Sequence, residues 1–373
     1  MSLQRRRRPL NSSLCCWILS ICVISGLCGQ TPSLWHRSVT GESDPTDNFR
    51  EKTRRAMVDR GLQYLYGIQK EGAVGNSRQK GVSALMLLAS LSSGIQPTHP
   101  EYGAKLTQTI HWIIKNSPEA FFGGREEPHA DHALVALSLI ELIGTLSNEK
   151  ENLKVYDKAL KSTAYSLQIQ DKGVGGDYFG GWRPNGTTKV NNRMLTAWFL
   201  LQLRSAELRG IRVSRSATER AVEFMLASQK TRKGKKPHEI GGFSVDAHGL
   251  PVLSTTAAGM AVLSLFDYDE SRLELAKDWL SRHRPRWYGP NFYESNFFAI
   301  RGLYRSRQRD KGKTFQKYFT RLFQILKERQ EPDGAFPIPP GHGNTILGMG
   351  KGYSTAMAIL ILNVDRGYLP MDQ

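Results

Sequence analysis

A repeat dominates this chain. From about residue 56 onward it alternates an amphipathic segment ending near Gln, a Gly-rich stretch with an aromatic residue, and a segment rich in Ala and Leu. Six copies can be laid out. The first segments cover 56–69, 102–116, 155–170, 216–229, 271–283 and 315–330; the second cover 81–91, 131–142, 193–203, 254–265, 295–304 and 353–364. The second-segment anchors Ala84, Ala133, Ala197, Ala257, Ala299 and Ala356 are spaced about 54 residues apart on average. First segments carry charge on one face. Second segments are almost wholly apolar, as in Thr256-Ala-Ala-Gly-Met-Ala-Val-Leu263, and a helix apolar all round is buried all round. Twelve helices in six pairs, with an inner and an outer layer, predict an all-α α6/α6 toroid over 51–373. An open solenoid has the same local pattern but shorter repeats, of about 34–47 residues.

The cysteines sit apart from the repeat. Cys15, Cys16, Cys22 and Cys28 all fall in the first thirty residues. The body therefore has no disulfide framework, no thiolate zinc site and no Cys nucleophile. The basic cluster Arg5–Arg8 precedes a fourteen-residue uncharged stretch, Leu14–Leu27. That is short for a spanning helix, which needs about twenty residues, and it fits a secretory signal. Residues 1–30 are expected to be a signal peptide or retained N-terminal anchor, and 31–50 a linker. Export to the periplasm or cell envelope follows. The formal charge of +17 becomes +13 without residues 1–30, which hold four Arg and no acid. A basic mature chain suits anionic lipids or glycans and peripheral membrane association. No nucleic-acid motif is present, so a nucleic-acid partner is not expected.

Several motifs carry a family resemblance. Gly173-Val-Gly-Gly-Asp-Tyr-Phe-Gly-Gly-Trp182 with upstream Gln170, and Gln330-Glu-Pro-Asp-Gly-Ala-Phe336, resemble the Gln–Gly–Trp repeats of squalene cyclases and protein prenyltransferase β-subunits. The stretch Gly352–Val364, followed by Tyr368-Leu-Pro, resembles exported bacterial squalene-cyclase-like repeat proteins. The resemblance covers about residues 56–370. It implies a terpenoid-cyclase toroid in which the repeat Gln reaches a backbone end and the aromatic packs over it. Gln170 with Trp182, Gln229 with Phe243 and Gln330 with Phe336 take that role; Asn116 and His283 stand where copies two and five lack the Gln. The implied chemistry has lost its residues. No Asp-x-Asp-Asp acid motif occurs, and the nearest run, Asp267-Tyr-Asp269-Glu270, reads as a turn and helix cap. The prenyltransferase zinc site needs a Cys that the mature chain does not have. No cofactor and no metal site is expected.

A toroid gathers its inner-helix N-termini at one mouth, where free N–H groups favour anions. The residues expected there include His129, Asp131, His132, Asn192, Ser254, Tyr293, Glu294, Ser295, Tyr353 and Ser354. His129, Asp131, His132, Tyr293 and Glu294 are the catalytic candidates, because imidazoles and carboxylates can serve acid–base or metal chemistry. Capping and surface placement explain the same residue types. Asp246 and His248 form a second candidate, and Glu126-Glu127 read as a solvated loop able to supply carboxylates. Asn192, Trp198, Phe297, Phe298 and Tyr353 are expected to line a cavity suited to an isoprenoid, although core packing accounts for the aromatics equally well. The expected function is an exported terpenoid-cyclase-like toroid that binds an isoprenoid or other lipid-like ligand. The alternatives are a non-catalytic envelope scaffold and a toroid acting on acidic glycans.

Overall fold

A computed structural model describes residues 45–373 except 118, 174–178, 232–235, 247, 341–343 and 373. The segment expected to direct export lies outside the described residues. So does the middle of the Lys230–Lys236 basic run. No described helix is long and apolar enough to cross a membrane.

Twelve α-helices follow one another: α1 Pro45–Ile68, α2 Gln79–Ser92, α3 Gly103–Lys115, α4 Pro128–Leu142, α5 Glu149–Gln168, α6 Arg193–Leu208, α7 Arg215–Leu226, α8 Leu253–Leu265, α9 Glu270–Arg282, α10 Phe292–Arg305, α11 Lys313–Arg329 and α12 Asn344–Leu362. No strand occurs among the described residues, only isolated bridges such as Gln229–Phe243. Helix α1 starts at Pro45, inside the stretch read as a linker. Helix α12 breaks at Gly350, whose φ of 73° is not helical, so its inner run starts beside Tyr353.

The even-numbered helices form the inner ring. Each packs on the next, and α12 returns to α2, which closes the circle. Their composition explains this. In α2 every residue from Gly81 to Ser92 is buried, and in α4 so is every residue from Asp131 to Leu142. The odd-numbered helices lie outside with one apolar stripe inward, as in α11, where Phe315, Tyr318, Phe319, Leu322, Phe323 and Leu326 are buried. The expected α6/α6 toroid is the fold.

Two sets of polar rungs hold the loops that lead into inner helices. In the first set a Gln at the end of an outer helix bonds the backbone of the next outer helix. Gln69 Nε2 donates to the Lys105 carbonyl at 2.8 Å, Gln170 to Ala217 at 2.8 Å, Gln229 to Arg272 at 2.8 Å and Gln330 to Met57 at 2.8 Å. The last of these joins α11 to α1. A loop glycine accompanies each: Gly72, Gly180, Gly241 and Gly334 have φ of 91°, 95°, 93° and 90°. A Cβ there would come within 2.5 Å of a carbonyl oxygen on the next outer helix, so only glycine fits. Among the described residues copies two and five show no such Gln joint. Asn116 and His283 bond only their own helices, at Trp112 and Trp279.

In the second set a Ser or Thr near the start of an inner helix accepts a loop N–H. Val74 donates to Ser83, Trp182 to Thr196, Phe243 to Thr256 and Phe336 to Thr355. Copy two places His132 at this rung, and Phe122 N–H donates to its Nδ1 at 3.2 Å. The aromatics Trp182, Phe243 and Phe336 are each fully buried beneath the loops.

Candidate functional site

The inner-helix N-termini meet at one mouth, and a buried ionic cluster sits there. Arg78 caps α2 in the left-handed region, with φ of 47°. Its side chain is 6% exposed and reaches across to α4. Its Nε donates to Asp131 Oδ1 at 2.8 Å, and a terminal nitrogen pairs with Glu127 Oε2 at 2.6 Å. Asp131 has no exposed surface. Gly81 and Gly124 leave room for its carboxylate, since a Cβ on either would lie 2.5 Å from an oxygen. Burial pushes the Asp131 carboxyl up, against the pull of Arg78 and the Gly124 amide. A buried carboxylate of this kind needs its cation.

Glu294 stands in the first turn of α10. The residue keeps some solvent access, yet its carboxyl is enclosed closely enough for burial to dominate and raise its pKa. Arg78 opposes that rise and Glu127 adds to it. Trp198 Nε1–H points at Oε1 from 3.4 Å. Beneath it lies an aromatic bed. Trp198 stacks on Phe297 at 4.8 Å and meets Phe298 edge-on at 5.0 Å. Tyr353 is buried, and the charge of Glu294 adds to the rise in its pKa. Trp198, Phe297, Phe298 and Tyr353 are all below 5% exposed. Trp198, Phe297 and Phe298 pack on one another, and Tyr353 meets Tyr293 edge-on at 6.3 Å.

The other expected site residues have structural tasks. His132 is buried, and burial drives its pKa down to about 3. With Nδ1 accepting from Phe122, its Nε2–H donates to Ser166 Oγ at 3.0 Å. His129 Nδ1–H donates to the Arg183 carbonyl at 2.6 Å. The two imidazoles therefore turn to separate backbone partners, and among the described residues no three His, Cys, Asp or Glu side chains are grouped to hold a metal. The Tyr293 hydroxyl is spent on the Pro337 carbonyl at 2.8 Å. Asn192 is the N-cap of α6, its side chain accepting from Leu195 N–H at 3.0 Å. Asp131 is inside α4 and does not cap it; Glu127 stands at the cap position, but its side chain bonds Arg78 and makes no capping bond. Ser254 and Ser354 also fall within their helices, and the Ser354 hydroxyl donates to the Phe336 carbonyl at 2.5 Å. Asp246 accepts from His248 N–H and Gly249 N–H in an exposed turn. Asp269 caps α9 as expected. Sequence reasoning missed Arg78, which has no motif around it, and read Glu127 as part of a solvated loop able to supply a carboxylate.

No family model and no curated protein matches the sequence. Solved structures do match in shape. An α-mannanase of glycoside hydrolase family 76 from Bacteroides thetaiotaomicron aligns with a TM-score of 0.58 at 13% identity, over 87% of this chain and 99% of its own. The type II terpene cyclase MstE from Scytonema, solved with geranylgeranyl dihydroxybenzoate, aligns at 0.56 and 13% identity, over 85% of this chain and 98% of its own. An α-1,6-mannanase from Salegentibacter, solved with an α-1,6-linked mannose tetramer, aligns at 0.55 and 12% identity, over 83% and 98%. These likenesses establish an α/α toroid. It is the toroid shared by terpene cyclases and family 76 mannanases.

Proposed function

We propose that the mouth is the functional face and that Glu294 is a proton-donating carboxylic acid acting on a glycan. The observation that carries this reading is the enclosed Glu294 carboxyl, raised by burial, beside the solvent-facing, Arg78-bound carboxylate of Glu127. Glycoside cleavage needs such a pair, one carboxyl held protonated and one ionised. The same division of labour supports general acid–base chemistry more widely. A sugar ring presented at the mouth needs no deep cavity, whereas an isoprenoid needs a long dry one, and Trp198, Phe297 and Phe298 pack on one another. Family 76 mannanases carry out glycan chemistry on this fold. The basic mature charge favours an acidic glycan, and the N-terminal segment favours work outside the cytoplasm.

The aromatic bed favours one second reading, an isoprenoid bound after the bed opens. Both readings can be separated. Protein purified from its native envelope is incubated with neutral mannans and acidic polysaccharides, and new reducing ends are measured. Release is expected, with a fall of about 100-fold or more in Glu294→Gln. No release from any polysaccharide, with a co-purifying prenyl lipid found by mass spectrometry, overturns the glycan reading in favour of the second.

A further inference from the structure

The opposite end of the bore is closed by the chain itself. After α12 the chain turns back across the inner-helix C-termini, and Pro370–Asp372 forms a short 3-10 turn against α6. Leu369 and Met371 are each 1% exposed. The Asp372 carboxylate pairs with Arg301 of α10, both side chains being almost fully buried. Arg301 also lies over the Phe297 ring at 4.5 Å, while its Nε has no hydrogen-bond partner. Arg305, one turn further along α10, feels the Asp372 charge and repels Arg301. Met371 helps to line a void of about 20 Å³ together with Ala197, Leu201, Phe298, Arg301 and Arg305. That is room for about one water.

A buried cation stays folded only while an anion accompanies it. Arg301 therefore requires a carboxylate or its equivalent, and the anion reaches it on a short strap. Two features of the strap define what the pocket accepts: an apolar side chain in the bore from Met371, and a negative charge on Arg301 from Asp372. We propose that this lower mouth is a binding site for an anion bearing a short apolar group, a carboxylate or a phosphate monoester, which residues 369–372 occupy in its absence. Ligand and strap then compete for Arg301. Binding frees the strap, and the strap scales the apparent affinity down to the fraction of molecules in which it is undocked. The strap is held from α4 as well, because Met371 N–H donates to the buried Glu141 Oε1 at 3.1 Å.

The test is hydrogen exchange of the amides in 365–372, read with hexanoate, hexyl phosphate, hexylammonium and hexanol. Hexanoate, hexyl phosphate or both should raise exchange about tenfold or more at saturation, while the cation and the alcohol leave it unchanged. Response to one anion alone identifies which headgroup the site takes. Asp372→Asn should loosen the strap without ligand and lower the half-saturating anion concentration about tenfold. Its circular dichroism reports whether the toroid stays folded. Arg301→Met should abolish the anion response and keep the alcohol control flat. Equal exchange with all four compounds overturns the proposal, as does an Asp372→Asn protein that is folded, keeps its strap protected and binds hexanoate no better by calorimetry.

Discussion

The two ends of the toroid are built on different terms. At the N-terminal mouth the chain enters each inner helix through a long loop, and the same rungs recur: a Gln to the next outer helix, a glycine against its carbonyl, a hydroxyl or imidazole beneath the loop. At the C-terminal end the buried polar contacts occur once each: Glu141 accepts from the Ser205 hydroxyl, and Arg301 pairs with Asp372. Helix α4 runs between the two and shows the contrast in one element. Asp131 and His132 stand at its start, Glu141 at its end, and all three are buried. The repeated end is held by rungs that substitute for one another, as His132 does for Thr. The other end depends on single pairs.

The largest expected effect comes from Arg78. Removing it leaves Asp131 buried without a cation, which typically costs about 3–5 kcal/mol. Arg78→Met should lower the urea midpoint accordingly, and Arg78→Met with Asp131→Asn should recover half or more of the loss. A double variant no more stable than the single one would mean that the mouth does not depend on this pair.

The contrast between the ends was only half legible in the sequence. The rungs follow a register, so the Gln, the glycines and the aromatics stand out once six copies are aligned. The hydroxyl rung is equally periodic, one residue before Ala84, Ala197, Ala257 and Ala356, but buried Ser and Thr read as helix filler. His132 holds the same register, one residue before Ala133, and there its Nδ1 accepts the Phe122 N–H as a hydroxyl does in the other copies. The lower end has no register to read. Glu141 lies within an apolar run, and its partner at Met371 is 230 residues away. Arg301 sits in copy five, where His283 stands in place of the Gln.

The two ends of α4 should also titrate in opposite senses. Burial lowers His132 to about 3 from an ordinary 6.5. The unfolded chain then binds the extra proton, so stability falls as pH drops from 6.5 toward 3. Burial raises Glu141 to about 7 from 4.5, with Asp372 adding to the rise and Ser205, Arg209 and the Met371 amide opposing it. Here the folded chain keeps the extra proton, so stability falls as pH rises from 4.5 to about 7 and is flat above. Across the full windows the shifts correspond to about 5 kcal/mol for His132 and about 3 kcal/mol for Glu141. Unfolding free energies measured from pH 4 to 8 should lose the acid-side slope in His132→Asn and the neutral-side slope in Glu141→Gln. The same slope lost in both variants would remove the distinction between the ends.

The smallest effect tests whether rungs are interchangeable around the ring. Gln330 closes the circle, donating to Met57 on α1 at 2.8 Å and to the Gly334 carbonyl at 3.1 Å. Asn116 stands in the equivalent place in copy two but bonds only Trp112 of its own helix. Deleting a side chain that leaves buried carbonyls unpaired costs about 1–3 kcal/mol. Gln330→Ala should fall in that range. Asn116→Ala should stay below about 0.5 kcal/mol, as a substitution that touches no joint does. The α11–α1 joint links helices far apart in sequence, so its loss should also raise hydrogen exchange in α1 and α11 more than in α5 or α7. Equal costs for the two variants, with exchange raised evenly around the ring, would mean that inner-ring packing alone closes the toroid and that the Gln rungs only shape their own loops.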